Sequence, residues 1–111
     1  MRPAAACVIA LLAAGCGQAE KPKAPKTAVS DAVDGIVVPC GEAHMVLATG
    51  GSAAELRRLD AAALPYAGRL VALARRQPSA VYLGGSLATL VRTQHTTALG
   101  CHLTRTARRL R

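Results

Sequence analysis

This chain has to build its interior without a single phenylalanine or tryptophan. Two tyrosines are its whole aromatic complement, so the core must be aliphatic. Apolar residues still make up 51% of the 111, which argues against disorder and, at this length, allows one small domain. The wealth of Ala, Leu and Arg beside modest Val and Ile favours helices over a sheet. The missing aromatics also remove the stacking platforms on which bases and sugars are held.

Periodicity points the same way. Apolar or small residues recur at Val29, Val33, Ile36, Cys40, Ala43 and Leu47, in steps of three and four that define one helical face. Ser30 and Asp31 suit the entry to this helix, Gly50-Gly51 its end, and Pro39 predicts a kink or a restart on the way. Ser52-Ala53-Ala54-Glu55 has the pattern of a capping box, in which hydroxyl and carboxylate satisfy free amides at a helix start. A second stripe follows through Leu56, Leu59, Ala63, Tyr66, Leu70 and Leu73, with Pro65 predicting a kink or two short helices. Arg75, Arg76 and Pro78 make its stop. Val81, Tyr82 and Leu83 form a run that periodicity alone does not assign. Ser86 then caps a third stripe, Leu87, Leu90, Val91, Ala98 and Cys101, which leads into a basic tail. The expected fold over residues 28–111 is therefore a small all-α bundle of three or four short kinked helices. The paired segments GGSAAEL and GGSLATL read as helix-start punctuation, since neither has the lysine of a phosphate-cradling loop.

Ahead of this domain, Met1-Arg2 supplies a positive end, and Pro3 to Ala14 is a charge-free apolar stretch too short to cross a bilayer. It closes on Leu12-Ala13-Ala14-Gly15-Cys16, which resembles the lipobox of bacterial lipoproteins. The resemblance implies that residues 1–15 are a signal peptide and that Cys16, carrying diacylglycerol through a thioether, becomes the first residue of the mature chain. Two or three acyl chains, at about 0.8 kcal/mol per buried methylene, anchor a protein stably. The expected location is then the cell membrane or the outer membrane, lipid-anchored and extracytoplasmic. Residues 16–27, with Pro22, Pro25, Lys21, Lys23 and Lys26, read as an extended tether that spans roughly 30 Å.

In an exported chain whose Cys16 is lipidated, Cys40 and Cys101 are an even pair in an oxidising compartment, and a disulfide between them is expected. It would close a loop of about 61 residues, worth about 4 kcal/mol to a domain this small. The competing reading is a metal held by Cys40, His44, Cys101 and His102, but adjacent Cys101 and His102 diverge on a helix and the spacing is not that of a zinc finger. No metal and no cofactor beyond the covalent lipid is expected.

Charge is the least ordinary feature. The chain carries 14 Lys plus Arg against 6 Asp plus Glu. Every residue of the acidic set lies at or before Asp60, while Arg69, Arg75, Arg76, Arg92, Arg105, Arg108, Arg109 and Arg111 follow it. This asymmetry favours an anionic partner, whether headgroups, an envelope polymer or an acidic protein, with Arg105, Arg108 and Arg109 as candidate binding residues. Nucleic acid conflicts with export and with the lack of aromatics. Asp31 and Asp34 suit helix-start charge better than paired catalytic carboxylates, and no serine sits in a nucleophile elbow, so a non-catalytic binding or structural role is expected.

GSLATL from Gly85 and Cys101-His102-Leu103, together with the lipobox and the two bracketing cysteines, also resemble the membrane-bound inhibitors of C-type lysozyme. That resemblance covers about the last quarter of the chain, with Arg69 a further match. It implies an alternative fold, a small antiparallel β-barrel, and an alternative role as a diverged inhibitor. Gly84 stands where the family's inhibitory lysine would fall, and Ala67 near its serine.

Overall fold

A computed structural model describes residues 26–111 of the chain. The expected signal peptide 1–15, the expected lipidation site Cys16 and the expected tether up to residue 25 lie outside the described residues. Within them are four helices, α1 (Lys26–Ala48), α2 (Ala53–Arg76), α3 (Leu87–Gly100) and α4 (Thr104–Arg109). The two-residue strands β1 (Val81–Tyr82) and β2 (Gly85–Ser86) pair antiparallel, Val81 opposite Ser86, in the turn between α2 and α3. The fold is the all-α bundle. The β-barrel alternative is overturned, because GSLATL contributes only a strand stub before it runs into α3.

The long helices form where apolar spacing is sustained. Val29, Ile36, Cys40 and Ala43 of α1 are buried against Leu59, Ala63, Ala67 and Leu70 of α2. Helix α2 is the hub, since α1, α3 and α4 all pack on it. The interior is aliphatic, with Ile36, Leu70, Leu87, Leu103 and Leu110 its largest fully buried apolar side chains, each worth about 1.5–3 kcal/mol of transfer free energy.

Neither proline ends its helix: α1 runs unbroken through Pro39 and α2 through Pro65. A proline costs a helix about 3 kcal/mol through its missing donor and ring clash. Here the buried stripe continues at the same spacing on both sides, and packing outweighs that loss. Helix α1 also starts a turn earlier than Ser30, at Lys26, which takes the last two tether residues into the helix so that Val29 can be fully buried.

The caps follow local chemistry. Ser52 Oγ accepts from the Glu55 amide at 3.1 Å and the Glu55 carboxylate accepts from the Ser52 amide at 3.1 Å, so the capping box is complete. Ser86 Oγ likewise accepts from the Thr89 amide at 3.1 Å. Helix α1 closes through left-handed Gly50, with the Gly51 amide donating to Val46 O at 2.8 Å and the Gly50 amide to Leu47 O at 3.4 Å. Helix α3 uses the same closure, with a histidine in the glycine's place. His102 has φ 64°, its amide donates to Leu99 O at 3.2 Å, and the Leu103 amide donates to Ala98 O at 3.0 Å. The chain therefore reverses after Gly100 and enters a further helix. The expected basic tail is in fact α4, which buries Thr106 and Ala107, with Leu103 and Leu110 buried at its two ends.

Close approach of α1 and α2 depends on Gly35. A Cβ there would overlap the Tyr66 ring, whereas a Cβ at Gly41 of the same helix would meet nothing within 4 Å. The same substitution should therefore have opposite signs. Gly35→Ala should destabilise the domain by about 1–2 kcal/mol, overpacking exceeding the gain in helix propensity. Gly41→Ala should stabilise it by about 0.5–1 kcal/mol. Urea midpoints of the two variants check this, and a stabilised Gly35→Ala protein would contradict the packing.

Candidate functional site

Helix α4 is six residues long, too short to stand alone in water. Two helices, α2 and α3, hold it. The Asp60 carboxylate of α2, only 5% exposed, accepts from the Arg105 amide at 2.9 Å and from the Thr106 amide at 2.9 Å. The Thr106 hydroxyl lies 2.7 Å from Asp60 Oδ1 and 3.1 Å from Asp60 O. Asp60 thus does from a distance what an N-cap does locally, filling the free donors at a helix start where negative charge is favoured. From α3, His95 Nδ1 lies 2.8 Å from Ala107 O, a geometry that requires the proton on Nδ1 so that the ring donates. Leu103 and Leu110 complete the attachment by burial.

With one side of α4 fixed, the other is presented to solvent. Arg105, Arg108 and Arg109 are all exposed, and together with Leu64 of α2 they line a shallow depression of about 250 Å³. The Arg109 guanidinium lies across α2 at Gly68, where a Cβ would sit 3.6 Å from its Nε and Nη2. No acidic side chain lines this depression. Asp31, Asp34 and Glu42 belong to α1, Glu55 is occupied with its capping box, and Asp60 is turned inward. The described arginines after Asp60 are exposed without exception. Such a surface can attract and hold delocalised anionic oxygens, guanidinium being suited to planar, multiple hydrogen bonding.

The other sequence candidates fall elsewhere. Cys40 and Cys101 are joined in a disulfide with their Cα atoms 5.5 Å apart. That bond ties α1 to the cap of α3 and uses both thiols of the alternative metal reading, while His44 and His102 stand exposed. Among the described residues no three His, Cys, Asp or Glu side chains gather as a metal set. Asp31 and Asp34 border a separate surface depression with Tyr66 and Arg69, where the Arg69 guanidinium stacks 4.7 Å from the Tyr66 ring centroid. No described helix is long and apolar enough to cross a membrane.

Asp60, His95, Leu64 and Gly68 are the site residues that sequence reasoning missed. Their one visible trace is the spacing of Leu103, Ala107 and Leu110, a short helical stripe inside what otherwise reads as a charged tail. No protein-family model, curated protein or solved structure matches the chain.

Proposed function

We propose that the chain is an exported lipoprotein, anchored through diacylglycerol on Cys16, whose helical domain holds an anionic partner of the cell envelope on the exposed face of α4 without catalysing a reaction. One observation carries this reading: Arg105, Arg108 and Arg109 stand on a helix capped by Asp60 and, with Leu64, line a depression that no acidic side chain lines. The apolar stretch ending in Cys16 supplies the anchor, and the segment up to residue 27 supplies reach. The partner chemistry that fits is a dense array of phosphate or carboxylate, as on headgroups, an envelope polymer or an acidic protein surface.

Retention on an immobilised sulfated polysaccharide under a salt gradient tests the binding face. Each cation near such a surface contributes about 1 kcal/mol, so Arg105→Gln/Arg108→Gln/Arg109→Gln should weaken binding roughly 100-fold at low salt. Arg57→Gln/Arg58→Gln/Arg76→Gln removes the same charge from α2 and should leave most of the retention intact. Equal losses in both variants would mean that net charge, and no particular face, does the holding. Mass spectrometry of the membrane fraction tests the anchor: the mature chain should begin at a Cys16 bearing diacylglycerol.

A further inference from the structure

A third depression, which shares no lining residue with the Arg105–Arg108–Arg109 face, lies where the end of α2, the turn at Pro78, the start of α3 and the C-terminal residues meet. It is an open groove of about 380 Å³. Val71, Ala74 and Leu110, all buried, form its floor, and Pro78, Ala88 and Val91 its walls. Arg75, Arg92 and Arg111 stand exposed around the rim, and none of the residues lining the groove is acidic. Arg92 is held in place: its Nη2 donates to Thr89 Oγ1 at 3.1 Å, and Thr89 Oγ1 in turn lies 3.0 Å from Ser86 Oγ, the cap of α3.

We infer that this groove binds a single acyl chain ending in a carboxylate, the chain on the aliphatic floor and the carboxylate at the Arg75–Arg92–Arg111 rim. Charge complementarity selects an anionic end, since three arginines line one opening and no acidic residue lines it with them. The floor selects the rest of the ligand. A phosphate or sulfate alone would leave it uncovered, and a base or sugar would find no aromatic wall to stack on. At about 380 Å³ the groove lies at the small end of ligand pockets, a size that suits one chain. This site shares no lining residue with the polyanion-binding face.

Photolabelling of the full chain with a diazirine-bearing dodecanoate, used below its micelle-forming concentration and mapped by peptide mass spectrometry, tests the inference. Label is expected in the 71–92 segment and at the C-terminus, competed by plain dodecanoate and at least about tenfold less well by dodecanol or acetate, which lack one half of the ligand. Arg75→Gln/Arg92→Gln should reduce labelling about tenfold, as should Ala88→Phe, which fills the groove without touching the rim charges. Arg105→Gln/Arg108→Gln/Arg109→Gln should label normally, so the fate of this site and that of the polyanion face are read separately. Competition by dodecanol equal to that by dodecanoate, equal competition by acetate, or labelling that persists in both groove variants would overturn the inference.

Discussion

Reduction of the Cys40–Cys101 bond is expected to remove about 4 kcal/mol of unfolding free energy, the chain entropy that a closed loop of this size withholds from the unfolded state. The bond spans a sequence separation of 61, so it encloses most of the described domain. Its position adds to the effect. Helix α1 packs chiefly on α2 and touches α3 far less, so the disulfide is the main tie between the first helix and the α3–α4 end. Native domains are stable by only about 5–15 kcal/mol, and small ones with small side chains sit at the low end. The interior here is rich in alanine, with Ala32, Ala43, Ala63, Ala67, Ala80, Ala98 and Ala107 all buried. Reduced protein should therefore unfold at a much lower urea midpoint, followed by far-UV circular dichroism. Cys40→Ala/Cys101→Ala should reproduce the reduced midpoint without reductant. Identical midpoints with and without the bond would show that the helices hold themselves together.

The second large effect is expected at Asp60. Asp60→Ala leaves the Arg105 and Thr106 amides and the Thr106 hydroxyl without their acceptor in a place that water reaches poorly, a loss of about 3 kcal/mol. Asp60→Asn keeps one acceptor oxygen but sets an NH2 group against donors, and should fall between at about 1–2 kcal/mol. The readout that separates a lost cap from general weakening is amide exchange. In Asp60→Ala, residues 105 and 106 should exchange faster than the core amides of α2, because α4 opens before the bundle does. The same variant should also lose retention on the sulfated polysaccharide although every arginine is still present. Unchanged exchange at 105 and 106 would remove Asp60 from this role.

What could be read in advance was whatever is decided locally. A stripe recurring every three or four residues reports its own helix, and Ser52 with Glu55 closes a cap within a single turn, so both were visible in the chain. Counting cysteines, given an oxidising compartment, reached the Cys40–Cys101 bond. The remainder is decided by partners far away in sequence. Nothing local sets Asp60 apart from the other acidic residues, because its donors come 45 and 46 residues later. The need for glycine at 35 is not legible locally, because Tyr66, whose ring occupies the missing Cβ, lies on another helix. Pro39 and Pro65 looked like breaks because local propensity cannot weigh the packing on either side. Arg105, Arg108 and Arg109 were legible as charge, but their arrangement around Leu64 and Gly68 was not, since it exists only once α4 is seated on α2.

The two prolines have a shared consequence. Pro39 withholds the rung that would reach the Gly35 carbonyl, and Pro65 the rung that would reach the Ala61 carbonyl. Because α1 and α2 run in opposite directions with Gly35 against Tyr66, those two gaps fall at one height along the pair. Bending compliance is thus gathered into a single transverse plane, and the hairpin is stiff above and below it.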